Sequence, residues 1–224
     1  MKYYSMSDQT LTSRQQAVLK LIGSEPDLAG QFYLSGGTAL AAFYLKHRYS
    51  EDLDFFSEVE FDTTALTAFW QKHKAGLGFE EIDYQQSFNR NLFFLHFENE
   101  ILKTEFTYYP FKRLEMGESQ FGVATDSLRD IAVNKLFSIY QRTAARDYID
   151  LYCIVQDRGW TIDELKKAAR LKFDYHIDPL QLSTQFSKAA EAPDLPRMIK
   201  SLEVGAWQNF FKAEAKKLRP DILA

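Results

Sequence analysis

Residues 52–57 read Asp-Leu-Asp-Phe-Phe-Ser, an apolar strand that carries two acids one residue apart. Side chains alternate across a strand, so Asp52 and Asp54 share one face while Leu53 and Phe55 point into the core. A sheet holding this strand can therefore bury one of its faces and must leave the other open. Two carboxylates on one face repel each other unless something positive lies between them. A divalent cation is the economical answer. Mg²⁺ takes one or two carboxylates, keeps waters and accepts phosphate oxygens for the rest of its octahedron; Mn²⁺ is the second candidate. A pair of acids on an edge strand facing bulk water is the plain alternative, and a bare Asp-x-Asp more often means that.

The surroundings of the pair favour the cation. Residues 32–37, Phe-Tyr-Leu-Ser-Gly-Gly, form a short apolar run ended by glycines, and Thr38 to Lys46 resumes helical spacing with Thr38 placed to cap the helix. Gly36 and Gly37 permit unusual backbone angles and a close approach of ligand to main-chain N–H groups. A helix starting at Thr38–Ala39 turns its free N–H groups toward the same cleft, which suits phosphate, and the Thr38 hydroxyl adds a donor. Such a turn also needs glycine for steric reasons alone. Arg48 and Ser50, just before the aspartates, can hold phosphate or pair with an acid; a solvated Lys-His-Arg loop is the other reading. On a later strand Glu105 alternates with apolar residues and can face the same cation.

The pattern divides the chain. Helical spacing runs over 11–22 and, capped by Asp62, to about Lys74; residues 79–109 hold three strand-like runs split by turn-prone Asn-Arg-Asn and Glu-Asn-Glu, a meander ended by Pro110. After about residue 125 the strands stop, and helices follow into the tail from Pro196. The fold class is α+β, with a mixed sheet and helices over 1–115 and an all-helical lobe over 116–224. With 224 residues, 46% of them hydrophobic, the chain can bury a large core. It has no apolar run of membrane-spanning length and no signal-peptide core at its start. The single cysteine, Cys153, excludes an internal disulfide and a Cys-rich zinc site, so a reducing cytoplasm is the simplest home. Residues 1–124 carry 11 Lys+Arg against 17 Asp+Glu, and 125–224 carry 16 against 14. That asymmetry is compatible with a metal site facing an anionic substrate, and equally with solubility alone.

Two residues of the helical half stand out. On a helix from Leu128, Ile131, Ala132 and Ile139 share an apolar face that Lys135 interrupts. A lysine snorkelling past the core edge is the plain account; an ammonium at the cleft, against phosphate, is the functional one. Asp147 opens the next helix as an N-cap or first-turn acid, and Asp150, on the same face, suits a structural pair with Arg146.

Taken in order, Gly-Gly-Thr-Ala-Leu (36–40), His-Arg-Tyr-Ser-Glu-Asp-Leu-Asp-Phe-Phe (47–56), the stretch from Asp130 to Arg142 and Arg-Asp-Tyr-Ile-Asp-Leu-Tyr (146–152) resemble the AbiEii/AbiGii toxin family of nucleotidyltransferases, in the DNA polymerase β-like superfamily. The resemblance covers roughly residues 30–157. One departure is that Gly37 replaces the superfamily's serine after the first glycine. The resemblance implies a polymerase β-like lobe, followed by a helical lobe that contributes Lys135 and Asp147 to the active site. It further implies catalytic Asp52 and Asp54 binding Mg²⁺, with Glu105 as a third carboxylate, an NTP donor, an RNA acceptor with tRNA 3′ ends as the leading case, and a cognate antitoxin. The rival readings are a small-molecule nucleotidyltransferase of the antibiotic-modifying kind and a nucleotide- or partner-binding module without chemistry. The near-neutral helical half leaves the first open; the intact set of Asp52, Asp54, Lys135 and Asp147 argues against the second.

Overall fold

Helix α1 (Ser13–Ser24) starts at Thr12, whose hydroxyl accepts from the Gln15 amide while the Gln15 side chain accepts from the Thr12 amide. This reciprocal cap satisfies two donors that a helix end leaves open. The computed structural model describes residues 10–218. The expected absence of a signal sequence therefore concerns residues that, Thr10 apart, lie outside those described. Among the described residues no helix is long and apolar enough to cross a membrane.

After α2 (Pro26–Gln31) comes β1 (Tyr33–Ser35), and α3 (Gly36–Ala39) continues directly into a wider π-type turn over Leu40–Leu45. Next are β2 (Leu53–Ser57) and α4 (Thr63–Leu77), the latter capped by Asp62 as expected. The meander follows as β3 (Glu81–Ser87), β4 (Arg90–Phe97) and β5 (Glu100–Tyr108). A further hairpin, β6 (Met116–Gln120) and β7 (Val123–Asp126), completes a seven-stranded sheet in the order β3-β4-β5-β2-β1-β7-β6. β2 is antiparallel to β1 and parallel to β5, and β7 is parallel to β1. The sheet is thus mixed, with the acid-bearing strand inside it.

The hairpin corrects the expected division at residue 115. β6 is a polar edge strand, Met-Gly-Glu-Ser-Gln, and lacks the apolar alternation that marks a strand. Beyond Asp126 come α5 (Leu128–Gln141), α6 (Ala145–Arg158), α7 (Ile162–Phe173), α8 (Pro179–Ser187) and α9 (Ala206–Lys217). The tail from Pro196 is not helical throughout. Met198 forms a β-bridge with Arg48, and α9 begins only at Ala206.

Leu53 and Phe55 are fully buried, as alternation requires, and Phe55 stacks on Phe106 of β5 with centroids 4.9 Å apart. Trp70 of α4 closes the same aromatic layer. Each such side chain contributes about 1.5–3 kcal/mol on burial. With one face of β2 sealed in this way, its other face is open to function.

Candidate active site

β1 ends at Ser35 and the chain turns at Gly36, whose φ is 71°. A Cβ there would overlap the Asp54 carboxylate, and a Cβ at Gly37 would overlap the Arg48 guanidinium and crowd the Ser50 hydroxyl. Both glycines are therefore space that the acids and the basic loop occupy. The helix starts at Gly36, two residues earlier than expected, with Ser35 at the cap position. Thr38 is consequently not the cap. It is buried, and its hydroxyl donates to the main-chain oxygen of Asp52. The threonine thus anchors the entry to β2 instead of offering a donor to the cleft.

Asp54 and Glu105 are register partners on parallel strands, and Asp52 lies on the same face. Their surroundings differ sharply. Glu105 has both oxygens on the Arg90 guanidinium, at 2.6 and 2.7 Å, and Lys103 at 3.5 Å. Burial works against its charge, but Arg90 outweighs it and holds the carboxyl below its usual range. Asp52 takes the Lys103 ammonium at 2.8 Å. The Asp54 carboxylate makes no hydrogen bond or ion pair among the described residues. Burial and repulsion from Glu105 push it up to about 6.

The facing wall comes from α5 and α6. The Lys135 ammonium, on a side chain 10% exposed, sits 2.8 Å from Asp147 and 2.7 Å from Asp150. Burial opposes its charge, yet the two carboxylates keep its pKa above the ordinary lysine value. It does not snorkel. Asp147 gives its other oxygen to Arg142. Asp150 does not pair with exposed Arg146. It receives the Arg48 guanidinium at 2.6 and 2.8 Å and His47 at 2.8 Å. Despite full burial, Lys135 and Arg48 hold it well below the usual carboxylate range. Arg48 thus pairs with a buried acid while it also lines the cleft.

One cleft of about 690 Å³ joins these walls and brings together Gly36, Gly37, Arg48, Ser50, Asp52, Asp54, Glu105, Lys135 and Asp147; Thr38 is not in its lining. It also contains groups that sequence reasoning passed over. Lys103 and Arg90 neutralise the acid face. Lys103 was findable, since it lies two residues before Glu105 and so shares its face. Ser35 and Asn134 both donate to the buried Asp126 carboxylate, at 2.6 and 3.1 Å, tying the glycine turn to the helix of Lys135. Burial pushes Asp126 up to about 6. Residues 193–197 form the remaining edge of the cleft.

A model of the family described as nucleotidyl transferase AbiEii toxin, type IV toxin–antitoxin system, matches residues 19–220. The chain belongs to that family. The Aquifex aeolicus (strain VF5) protein aq_aa25 is 31% identical over 150 residues, covering 65% of this chain and 68% of its own. The crystal structure of JHP933 from Helicobacter pylori superposes with a TM-score of 0.59 over 97% of this chain and 95% of that one, at 19% identity, a likeness of fold. This AbiEii-family protein is accordingly a nucleotidyltransferase by family, with its acids and its Lys135 on opposite walls of one cleft.

The donor set can be matched to the cation such chemistry uses. Two adjacent carboxylates, one of them without a partner, fit Mg²⁺, which takes one or two and leaves its other positions to water and phosphate. Among the described residues no three His, Cys, Asp or Glu side chains are grouped to hold a metal as they stand. Glu105, expected as a third ligand, stands on the same face with both oxygens on Arg90.

Proposed function

We propose that this protein is a Mg²⁺-dependent toxin that moves a nucleoside monophosphate from an NTP to a hydroxyl of RNA, with tRNA 3′ ends as the leading acceptor, in the cytoplasm and under control of a cognate antitoxin. The observation that carries the reading is the uncompensated Asp54 carboxylate, pressed against Gly36 and facing Lys135 across the cleft. Asp52 and Asp54 would hold the cation, whose chemistry when bound is to neutralise the triphosphate and stabilise charge at the α-phosphorus. The Gly36–Gly37 backbone and Ser50 line the path for phosphate oxygens. Lys135 presents its ammonium from a fixed position, because Asp147 and Asp150 hold it there. Of the carboxylates available to take a proton from the attacking hydroxyl, Glu105 and Asp147 have both oxygens in ion pairs. Asp54 is in no ion pair, so an oxygen it does not give to the cation is the one placed to accept that proton. Arg142, Arg146 and Arg197 line the cleft on the helical side and suit the backbone of an RNA acceptor.

The test is to incubate the protein with labelled NTPs, Mg²⁺ and total RNA beside Asp54→Ala. Label transfer by the parent and a loss of at least about a hundredfold in the variant are expected. A parent that binds no NTP and labels nothing removes the enzymatic reading. Label moving only to a small aminoglycoside-like acceptor removes the RNA reading. Growth arrest on induction, relieved by Lys135→Ala and by co-expressing the neighbouring gene, is the expected sign of a toxin.

A further inference from the structure

Charge on the acid face is balanced unevenly, and the imbalance centres on Lys103. Leu53 pairs with Thr104 across the parallel β2–β5 ladder, which sets Lys103 beside Asp52. The ammonium is 2.8 Å from Asp52 and 3.5 Å from Glu105. Glu105 has a second cation in Arg90, bound through both oxygens. Asp54, next to both acids, has none. An ion entering between Asp52 and Asp54 therefore meets one open carboxylate and one already neutralised by a tethered amine. Two cations at contact distance on the same carboxylate repel strongly in a partly buried site.

We infer that Lys103 is a built-in competitor for the metal: it occupies Asp52 in the resting protein, leaves it when the ion binds, and then meets phosphate oxygens of the nucleotide. The inference rests on the metal-dependent reading above. The residue type suits the part, since a lysine is a point charge on a flexible stem that can change partners. Arg90, with its planar bidentate grip, keeps Glu105 in place. Metal alone must displace the ammonium onto Glu105, which Arg90 already holds through both oxygens, whereas metal with a triphosphate supplies a new partner. Metal and NTP are thereby coupled, each binding better in the presence of the other.

The full chain and Lys103→Met are titrated with Mn²⁺, free ion being read by electron paramagnetic resonance, with and without a non-hydrolysable NTP. The variant is expected to bind Mn²⁺ alone roughly tenfold more tightly, and nucleotide should enhance its Mn²⁺ affinity less than the parent's. Lys103→Arg, which keeps the charge on Asp52, should retain the parent's affinity. A second readout needs no variant: acylation of Lys103 by a succinimidyl ester, followed by mass spectrometry, should speed up several-fold when Mg²⁺ is added to the parent. Equal Mn²⁺ affinity in a folded Lys103→Met, or an acylation rate that ignores saturating metal, overturns the inference and leaves the metal reading intact. If the parent binds no Mn²⁺ even with nucleotide, the metal reading falls and the competitor role falls with it.

Discussion

Asp54 carries a negative charge that neither its strand nor its neighbours balance, and this has a consequence for stability as well as for chemistry. Its pKa in the folded protein is about 6 against an ordinary 3.8. The folded state therefore holds a proton more tightly than the unfolded chain does, and the carboxylate's contribution to stability falls as pH rises from about 4 to 6 and stays unfavourable above that. Asp54→Asn should stabilise the metal-free protein by about 2 kcal/mol at pH 7 and do almost nothing at pH 4. Urea denaturation at the two pH values reads this; a variant less stable than the parent at pH 7 would contradict it. Asp52 and Asp54 stood out in the sequence by strand alternation and Lys135 by interrupting an apolar helix face, while Asp147 read only as a helix-opening acid until the family resemblance singled it out. The partners of those residues were not legible. Arg48 meets Asp150 across 102 positions, a pairing that depends on how whole elements pack, and Arg90 reaches Glu105 only through the register of β4 against β5.

The same limit applies to elements. Strands β3 to β5 and the helices from α5 to α8 follow from apolar periodicity and turn residues, whereas β6 is polar and pairs because β7 offers it a ladder. The π-type turn after α3 leaves no mark in the spacing of its residues. The turn at Gly36 is where an element-level feature controls the chemistry most directly. Any side chain there takes on a left-handed backbone costing roughly 1–2 kcal/mol and displaces the Asp54 carboxylate. Gly36→Ala is therefore expected to lower nucleotide transfer by about a hundredfold, the scale of effect that small misplacements of reacting groups produce. Gly30, which ends no strand and would place a Cβ in open space, is the control. Gly30→Ala should leave transfer unchanged and, since Gly30 lies in α2, raise stability by roughly 0.5–1 kcal/mol.

At the scale of the molecule, Asp150 joins the two halves. It stands on α6 and draws in His47 and Arg48 from the loop before β2, so the sheet side and the helical side meet through one buried carboxylate. Replacing it with alanine strands a buried guanidinium and an ammonium, and Asp150→Ala should cost about 3–5 kcal/mol of unfolding free energy, measurable by denaturant titration. Asp150→Asn, keeping the shape, should lose less. The chain after α8 makes a second connection: Tyr49 donates to the Arg197 carbonyl, and Ile199 and Lys200 donate to that of His47. The cleft edge at 193–197 is held by these bonds. A ribosome releases the double glycine and the aspartates long before the segment that walls them in. Nascent chains consequently carry an open, unfinished cleft until residues 193–197 have left the ribosome, and nucleotide transfer is expected only from chains that have passed that point.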